Sequence, residues 1–365
     1  VPGLSRVFTL WSVPPHDDAG SLAPISENSV FLEELDPLGV PPEFKKEGRD
    51  WFAIFNPKIK RALDINLVYT LHHKSIVSCV KFSVDEKYLA TGCEGAAQIF
   101  DAKTGARTCI LVDNKVTKPA YIRSMCFSPN GKYLAISSDN SRICIWDIIK
   151  RRIRNVFDGH TLEVYALDFS PDGRSIISGS GDRTVRIWDM QDGSHKLLAD
   201  RDTETADSGV ASVAISPDGR LVAVGSLDNI VRIWDVATGQ LIERLRGHKD
   251  SVYSVAFTPD GDWIVSGSLD KTIKYWDGDE ASAATKNFLG HRDYVLTVAI
   301  SPDGQWVVSG LKDRGVQFWD SRSAITQFKL QGHGNAVISI DLSPSSLLAT
   351  GGGDCIARIW RYDSV

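Results

Sequence analysis

Serine, histidine and aspartate, the side chains of a common hydrolytic triad, recur together along this sequence. Each group also contains a tryptophan, and the spacing hardly changes from one group to the next. The groups are His160, Ser178, Asp182 and Trp188; His248, Ser266, Asp270 and Trp276; His291, Ser309, Asp313 and Trp319; and His333, Thr350, Asp354 and Trp360. A catalytic triad occurs once, beside an oxyanion hole, whereas this set occurs four times. We call each group of four residues a tetrad. We predict a structural role for these residues and no enzymatic activity.

The regular interval between the groups indicates which elements position them. An aromatic residue followed by aspartate returns after 46, 42, 46, 42 and 43 residues, and a last tryptophan without the aspartate follows after 41. The aromatic positions are Phe100, Trp146, Trp188, Trp234, Trp276, Trp319 and Trp360. This period resembles that of WD40 repeats, each of which forms a four-stranded blade. The sequence predicts an all-β fold, a seven-bladed WD40 β-propeller.

A single unit also reads as β structure without reference to any family. In residues 164–189, two short apolar runs flank Pro171-Asp172-Gly173. This tripeptide favours a turn, because proline presets φ and glycine accepts a positive φ. The stretch from Thr184 to Trp188 then alternates polar and apolar side chains, which is the period of a strand.

Closure of the ring requires a strand from outside the last unit, since open edges invite pairing with other chains. In WD propellers, which these units resemble, the outer strand of the last blade comes from the N-terminal side of the first repeat, so we predict that residues 67–71 pair beside residues 355–360. We predict a flexible segment at 1–28, a small N-terminal subdomain at 29–66 packed on the propeller, and the propeller itself at 67–365. Because the chain begins at Val1 rather than methionine, we expect a piece of a longer protein.

Three units depart from the four-residue pattern. The first has His73 but Gly95 and Phe100 at the aspartate and tryptophan positions. The second has Asn140 for the aspartate, and the fourth has no histidine and Val224 for the serine. We expect packing and backbone pairing to hold these three blades together.

Composition excludes several classes of function. The formal net charge of −5 argues against a protein that grips DNA through its phosphates. A basic run at 150–154 favours a solvated turn, with a nuclear-localisation signal or a phosphate contact as the alternative. The six cysteines contain no CxxC pair, so we expect no metal site and no cofactor. No apolar run is long enough for a transmembrane helix, so we expect no membrane contact.

Several segments resemble fungal Tup-type (Groucho-like) transcriptional corepressors. The lead-in carries Asp50-Trp51-Phe52 and Phe55-Asn56-Pro57, and the first unit carries Ala90-Thr91-Gly92-Cys93. The resemblance implies a hydrogen-bonded chain from the turn aspartate through histidine and serine or threonine to the tryptophan indole.

The resemblance to Tup-type corepressors also implies a nuclear protein that DNA-binding repressor proteins recruit. It implies that this domain does not read DNA bases. Contacts with histones and with a tetratricopeptide corepressor partner are implied for the full-length protein.

The loops at one face of such a propeller are the expected binding surface, because function tends to lie in loops on a rigid scaffold. Side chains at these positions are rich in tyrosine and leucine, which are frequent at interfaces or in exposed apolar patches. The predicted partner-binding residues are Cys93, Tyr121, Arg123, Asp139, Tyr165, Leu227, Tyr253, Tyr294, Leu296, Lys312, Asn335 and Ile338. The alternative is that these side chains only pack the rim of the channel.

One rival function is a substrate receptor of a cullin-type ubiquitin ligase. The tetrapeptide Trp319-Asp320-Ser321-Arg322 resembles the Trp-Asp-x-Arg element of such receptors. A generic signalling or RNA-processing scaffold is a second rival. The lead-in segment favours the corepressor over both.

Overall fold

The computed structural model describes residues 39–113, 120–200, 208–277 and 284–365. Strands in these ranges form seven antiparallel sheets, which we number as blades 1 to 7 along the chain. The innermost strand of each blade contacts the innermost strands of both neighbouring blades, and blade 7 contacts blade 1. The predicted all-β, seven-bladed propeller is confirmed.

Each blade has four strands that run from the central channel outwards. Blade 1 contains β4 (Cys79–Phe82), β5 (Tyr88–Cys93), β6 (Ala96–Asp101) and β7 (Arg107–Leu111). Blade 2 contains β8 (Ile122–Phe127), β9 (Tyr133–Ser138), β10 (Arg142–Asp147) and β11 (Arg152–Asp158). Blade 3 contains β12 (Val164–Phe169), β13 (Ser175–Ser180), β14 (Val185–Asp189) and β15 (His195–Leu198). Blade 4 contains β16 (Val210–Ile215), β17 (Leu221–Ser226), β18 (Ile230–Asp235) and β19 (Leu241–Arg246).

The last three blades follow the same order. Blade 5 contains β20 (Val252–Phe257), β21 (Trp263–Ser268), β22 (Ile273–Asp277) and β23 (Ala284–Phe288). Blade 6 contains β24 (Val295–Ile300), β25 (Trp306–Leu311), β26 (Gly315–Asp320) and β27 (Thr326–Gln331). Blade 7 contains β28 (Val337–Leu342), β29 (Leu347–Gly352) and β30 (Ile356–Ser364), with β3 (Leu63–His72) as its outer strand.

The Pro-Asp-Gly tripeptides form the turns between the innermost and second strands. In blade 3 the Ser170 hydroxyl donates to Asp172 Oδ1 at 2.6 Å, and the Gly173 N–H donates to the Ser170 carbonyl at 2.8 Å. Gly173 has a φ of 70°, which glycine adopts without steric cost. These turns lie at the bottom face of the disc, which we define as the face where the innermost strands end.

Blade 7 closes the ring in the predicted way. β3 pairs antiparallel with β30, with Leu67 opposite Trp360 and Tyr69 opposite Ile359. The strand begins at Leu63, ahead of the boundary between 66 and 67 that the sequence suggested. Because the outer strand precedes blade 1 in sequence, both ends of the propeller are tied into one sheet.

A hairpin before β3 adds to the closure. After a short 3-10 helix (Pro42–Phe44), β1 (Lys45–Glu47) pairs with β2 (Phe52–Phe55), and β2 pairs with the outer strand of blade 6. Between the two strands, Trp51 packs edge-on against Trp360 of blade 7, with ring centroids 5.5 Å apart. Within the predicted subdomain, β1 and β2 therefore extend blade 6 and touch blade 7, while residues 63–66 belong to β3 of blade 7. The predicted flexible segment at 1–28 lies outside the described residues.

The core lies between the blades, where the sheet faces pack on one another. The tryptophans of blades 3, 5, 6 and 7 are among the largest fully buried side chains. Trp188, for example, packs with Met190 against Cys126, Ala135 and Phe157 of the preceding blade. This inter-blade packing makes the disc a rigid support for its loops.

No helix in the described ranges is long and apolar enough to span a membrane. Nor does any group of His, Cys, Asp and Glu in those ranges have an arrangement that could hold a metal ion.

Candidate functional site: the tetrads and the channel mouth

Blade 3 contains a continuous hydrogen-bonded chain. His160 Nδ1 lies 2.8 Å from Asp182 Oδ2, and its Nε2 lies 2.7 Å from Ser178 Oγ. Trp188 Nε1 donates to the same hydroxyl oxygen at 2.8 Å. Since a carboxylate only accepts, Nδ1 carries the proton, and Nε2 accepts from the serine hydroxyl. Every polar atom of this buried chain therefore has a hydrogen-bond partner.

The turn aspartate of blade 3 stays ionised inside this network. Burial opposes its charged form, but hydrogen bonds from His160, Thr184 and the Thr161 N–H outweigh burial and hold the pKa of Asp182 well below its usual value. The carboxylate thereby fixes both the histidine tautomer and the start of the next strand.

Blades 5 and 7 repeat the arrangement. In blade 5, His248 lies 2.8 Å from Asp270 and 2.7 Å from Ser266, which accepts from the Trp276 indole at 2.8 Å. In blade 7 the histidine lies 3.0 Å from the turn aspartate and 2.7 Å from the threonine, which accepts from the indole at 3.0 Å. These blade 7 residues are His333, Asp354, Thr350 and Trp360.

Blade 6 corrects one predicted bond. His291 lies 3.0 Å from Ser309, which accepts from Trp319 at 3.2 Å, but Asp313 instead binds Lys329 Nζ at 2.8 Å. His291 Nδ1 is buried and has no hydrogen-bond partner among the residues that the structure describes. Blades 3 and 5 also bind the aspartate to a threonine two residues later, whereas blade 6 has a glycine at that position. Burial lowers the pKa of His291 to about 3.

Blade 1 keeps half of the network. His73 Nε2 lies 2.8 Å from Thr91 Oγ1, and Nδ1 lies 3.0 Å from the Leu71 carbonyl, which replaces the missing aspartate. Phe100 stands for the tryptophan and packs against the imidazole, with ring centroids 5.7 Å apart. In blade 2, Asn140 Oδ1 accepts from the Arg142 N–H at 3.2 Å and so supports its own turn.

Blade 4 adds an ionic network to the packing and backbone pairing that the sequence predicts for it. Asp200 follows the outer strand of blade 3 by two residues, as His160 follows that of blade 2. Arg232 binds this carboxylate at 2.9 Å and the turn aspartate Asp228 at 2.7 Å. Arg244 binds the second oxygen of Asp200 at 2.7 Å. A buried ionic network therefore takes the place of the histidine tetrad.

The tryptophan of blade 4 lacks its acceptor. Val224 stands where other blades have serine or threonine, and the buried Trp234 indole N–H has no hydrogen-bond partner in the described ranges. A buried, unpaired donor costs stability.

Half of the predicted partner-binding residues meet at the mouth of the central channel. They lie near the starts of innermost strands or the ends of second strands. We call this side of the disc the top face. The channel encloses about 430 Å³. The predicted residues that line it are Arg123, Tyr165, Leu227, Tyr253, Leu296 and Ile338.

Blades 5 to 7 give this mouth an apolar side. Leu269, Leu296 and Ala336 are buried, and the half-buried Tyr253, Tyr294 and Ile338 pack against them. We call these six residues the apolar cluster. Side chains that are only half-buried on the surface of a rigid disc can bury further area against a partner.

Blades 2 and 3 give the mouth a polar side. Arg123 is buried, forms an ion pair with Asp139, and lies 5.9 Å from the ring centroid of Tyr165. The Tyr165 hydroxyl is buried and has no partner in the described part of the chain, and neither has Glu163 Oε2. Burial raises the pKa of Tyr165 to about 12, so the phenol is a neutral donor.

The other predicted residues lie outside the channel lining. Tyr121 forms an isolated β-bridge with Glu94, and Cys93 is buried, with its thiol donating to the Ala96 carbonyl. Lys312 lies 5.1 Å from the ring centroid of Tyr294. Asn335 is exposed, and its side chain accepts from the next N–H at 2.7 Å. The structure therefore brings together only part of the predicted set.

Sequence reasoning missed the charges in the lower channel. Lys81 binds Asp341 at 2.8 Å, and Asp168 accepts from the N–H groups of Phe169 and Ile215 at 2.9 Å. The Asp341 carboxylate raises the pKa of Lys81, whereas burial raises that of Asp168. Each of these three charged residues is the second-last residue of its innermost strand. Blades 4 to 6 have alanine at that position, so an alignment of the seven units would have revealed the charges.

Comparison with known proteins agrees with this geometry. The model of the family "WD domain, G-beta repeat" matches residues 65–101, 112–147, 151–189, 201–235, 239–277, 283–320 and 325–361. Each matched segment ends at the aspartate, or at the arginine in the last unit, that follows the periodic aromatic residue.

Three curated proteins, each named as a transcriptional repressor or corepressor, are similar to this chain in sequence. The transcriptional repressor rco-1 of Neurospora crassa is 53% identical over 92% of this chain and 58% of its own length. The general transcriptional corepressor tupA of Dictyostelium discoideum is 51% identical over 57% of this chain and 36% of its own length. TUP1 of Saccharomyces cerevisiae, also named a general transcriptional corepressor, is 39% identical over 43% of this chain and 29% of its own length.

The chain thus spans little more than half the length of rco-1 and less of the other two relatives. The predicted resemblance to Tup-type corepressors is confirmed, and with all seven repeats matched the chain belongs to the WD-repeat (G-beta repeat) family.

Proposed function

We propose that this propeller is the partner-binding part of a nuclear transcriptional corepressor and that it has no catalytic role. DNA-bound repressor proteins dock a segment across the top face. The propeller itself makes no direct contact with DNA, in keeping with its formal net charge of −5. The full-length protein adds contacts with histones and with a tetratricopeptide corepressor partner. The names of the relatives and the chemistry of the channel mouth support this proposal.

One observation carries it, the division of the channel mouth into two sides. The apolar cluster offers half-buried tyrosine and isoleucine side chains, while the opposite side offers Arg123, Asp139 and the unpaired hydroxyl of Tyr165. A peptide segment with an apolar anchor and a polar group fits both sides at once. A hydrolytic pocket does not fit, because the Ser-His-Asp groups of blades 3, 5 and 7 are engaged in structural hydrogen bonds.

The test uses the full-length protein in cells that lack it. Leu227→Asp and Tyr253→Asp each place a charge at the mouth, whereas Leu197→Asp, on the half-exposed outer strand of blade 3, is the matched control. We expect both mouth variants to lose promoter occupancy, measured by chromatin immunoprecipitation, at unchanged protein level, and Leu227→Asp should also keep the melting temperature of the parent. The control should retain occupancy.

Normal occupancy with Leu227→Asp and Tyr253→Asp would overturn the assignment of the docking surface. Capture of ligase adaptor subunits in place of promoters would favour a ubiquitin-ligase receptor instead.

A further inference from the structure

Blade 2 has an unusual turn between its third and outer strands. The corresponding turns of blades 1, 3 and 4 place Gly105, Gly193 and Gly239 at φ values of 69°, 77° and 73°. Blade 2 has Arg151 at this position, with a φ of 49°, and blade 6 has Ala324, with a φ of 55°. Because a left-handed φ strains any residue with a Cβ, the turn geometry does not account for the arginine.

The arginine belongs to a surface of concentrated positive charge. We call Lys150, Arg151, Arg152 and Arg154 the blade 2 basic edge; all four are exposed. Within the described ranges, this edge forms one ion pair, and it is long: Lys150 Nζ lies 3.7 Å from Asp147 Oδ2. The whole chain has a net charge of −5, so this edge is a local reversal of the charge of the molecule.

Two contacts hold the basic edge in place. Arg151 Nη2 donates to the Thr108 carbonyl of blade 1 at 3.3 Å. The Arg154 guanidinium lies 4.6 Å from the ring centroid of Tyr133. Side chains that are already positioned lose less conformational entropy when they bind a partner.

An apolar residue in the same turn decides what kind of partner fits. Ile149 is 84% exposed, the highest value among the large apolar side chains that the structure describes, and Val156 on β11 is 47% exposed. The phosphates that a nucleic acid presents to a basic surface offer nothing apolar to cover such a side chain. A protein segment with carboxylates and a large apolar side chain satisfies both features.

We propose that the blade 2 basic edge, with Ile149, is a second docking surface for an acidic protein segment that carries a large apolar side chain. The turn lies at the end of β10, and β10 ends beside the start of β9, at the bottom face. It is therefore on the opposite side of the disc from the channel mouth. The two surfaces can be occupied at the same time, and the proposal does not depend on the function proposed for the mouth.

The test titrates the purified chain against three fluorescein-labelled probes. The first is a short peptide of glutamate with two leucines, the second replaces both leucines with serine, and the third is a DNA duplex. We expect the first peptide to bind most tightly, with an affinity that falls as salt is added. Arg151→Gly combined with Arg152→Glu should weaken it by about tenfold or more.

Two further variants separate docking from folding and from charge alone. Arg151→Gly restores the residue that the turn geometry favours, so it should weaken binding without lowering the melting temperature. Ile149→Ser should weaken the leucine peptide but leave the serine peptide unchanged. Arg322→Ser, on the equivalent turn of blade 6, is the matched control and should bind as the parent does.

Three results would overturn the proposal. The first is that the parent chain fails to bind the leucine peptide even at low salt. The second is that the duplex binds more tightly than either peptide, and the third is that Ile149→Ser leaves binding of the leucine peptide unchanged. The second result would make this edge a phosphate-binding surface instead.

Discussion

Arg232 and Asp200 form an ion pair of 2.9 Å in blade 4, and Asp200 has the position that His160 has in blade 3. Both side chains are almost fully buried, and Asp228 completes the network. The network ties the connection from blade 3 to the third strand of blade 4. It has the same mechanical role as a tetrad but is built from full charges.

We predict that Arg232→Met lowers the free energy of unfolding by about 3–5 kcal/mol, since it leaves two buried carboxylates without their common partner. Arg244→Met is the control, because Arg244 is 30% exposed and its pair with Asp200 is worth about 1 kcal/mol or less. Urea denaturation of the two variants measures the difference. Equal losses in both would show that the network contributes little.

The tryptophan of the same blade gives a stabilising prediction. Val224→Thr keeps the shape of the side chain and supplies a hydroxyl that can accept from the Trp234 indole, as Thr350 accepts from Trp360 in blade 7. We expect the variant to be more stable by about 1 kcal/mol.

Val222→Thr is the control for this prediction. Val222 lies on the same strand and is fully buried in an apolar cluster, at the position where blade 7 has Leu348 and no hydroxyl, so the substitution should destabilise. If both variants lose stability equally by thermal melting, the unpaired indole is not a significant cost.

These blade 4 features show where sequence reasoning ends. The propeller and the positions of the histidine tetrads follow from residue types at fixed offsets, because each unit solves the same packing problem. The closure by β3 and the bonds within the tetrads were implied by the resemblance to WD-repeat proteins. Asp200 and Arg232 do not match that pattern, so nothing in the sequence of the unit links them. Their pairing depends on how blade 3 is placed against blade 4.

The channel shows the same limit. The periodicity predicted which residues lie at the top face, and six of them line the mouth. It did not predict that Tyr121, Cys93 and Asn335 lie away from the lining, since a distance from the channel axis is not encoded in a linear spacing.

Blade 6 predicts a pH dependence of stability. Burial holds the pKa of His291 at about 3, whereas the unfolded chain has an ordinary histidine with a pKa near 6.5. Between these values the unfolded state binds one more proton, so stability falls as the pH is lowered from about 6.5 towards 3, by up to about 1.4 kcal/mol for each unit. His291→Gln should be less stable at neutral pH but lose less stability on acidification.

Urea midpoints at neutral and at mildly acidic pH measure this slope. His72→Gln, at an exposed histidine, is the control and should keep the slope of the parent. A parent slope retained in His291→Gln would mean that another group causes the acid sensitivity.

The hairpin before β3 predicts that closure depends on residues outside the repeats. Trp51 packs on Trp360, and its neighbour Asp50 forms an ion pair with Arg358 of the same strand. Trp51→Ala should lower the free energy of unfolding by about 2 kcal/mol, because it removes a half-buried ring from the seam between blades 6 and 7. Arg49→Ala, in the same turn but exposed, should change the melting temperature little. An unchanged melting temperature for Trp51→Ala would show that β3 alone closes the ring.

The unpaired hydroxyl of Tyr165 distinguishes binding from stability at the channel mouth. Tyr165→Phe removes a buried polar group that has no partner in the described ranges, so the variant should be as stable as the parent or more stable by about 1 kcal/mol. A docked segment that supplies the missing partner would bind this variant about tenfold more weakly, because its own polar group is then left unpaired. The affinity for a recruiting repressor, measured beside thermal melting, decides the matter. Equal affinity of the two forms would show that this hydroxyl takes no part in docking, even if the apolar cluster does.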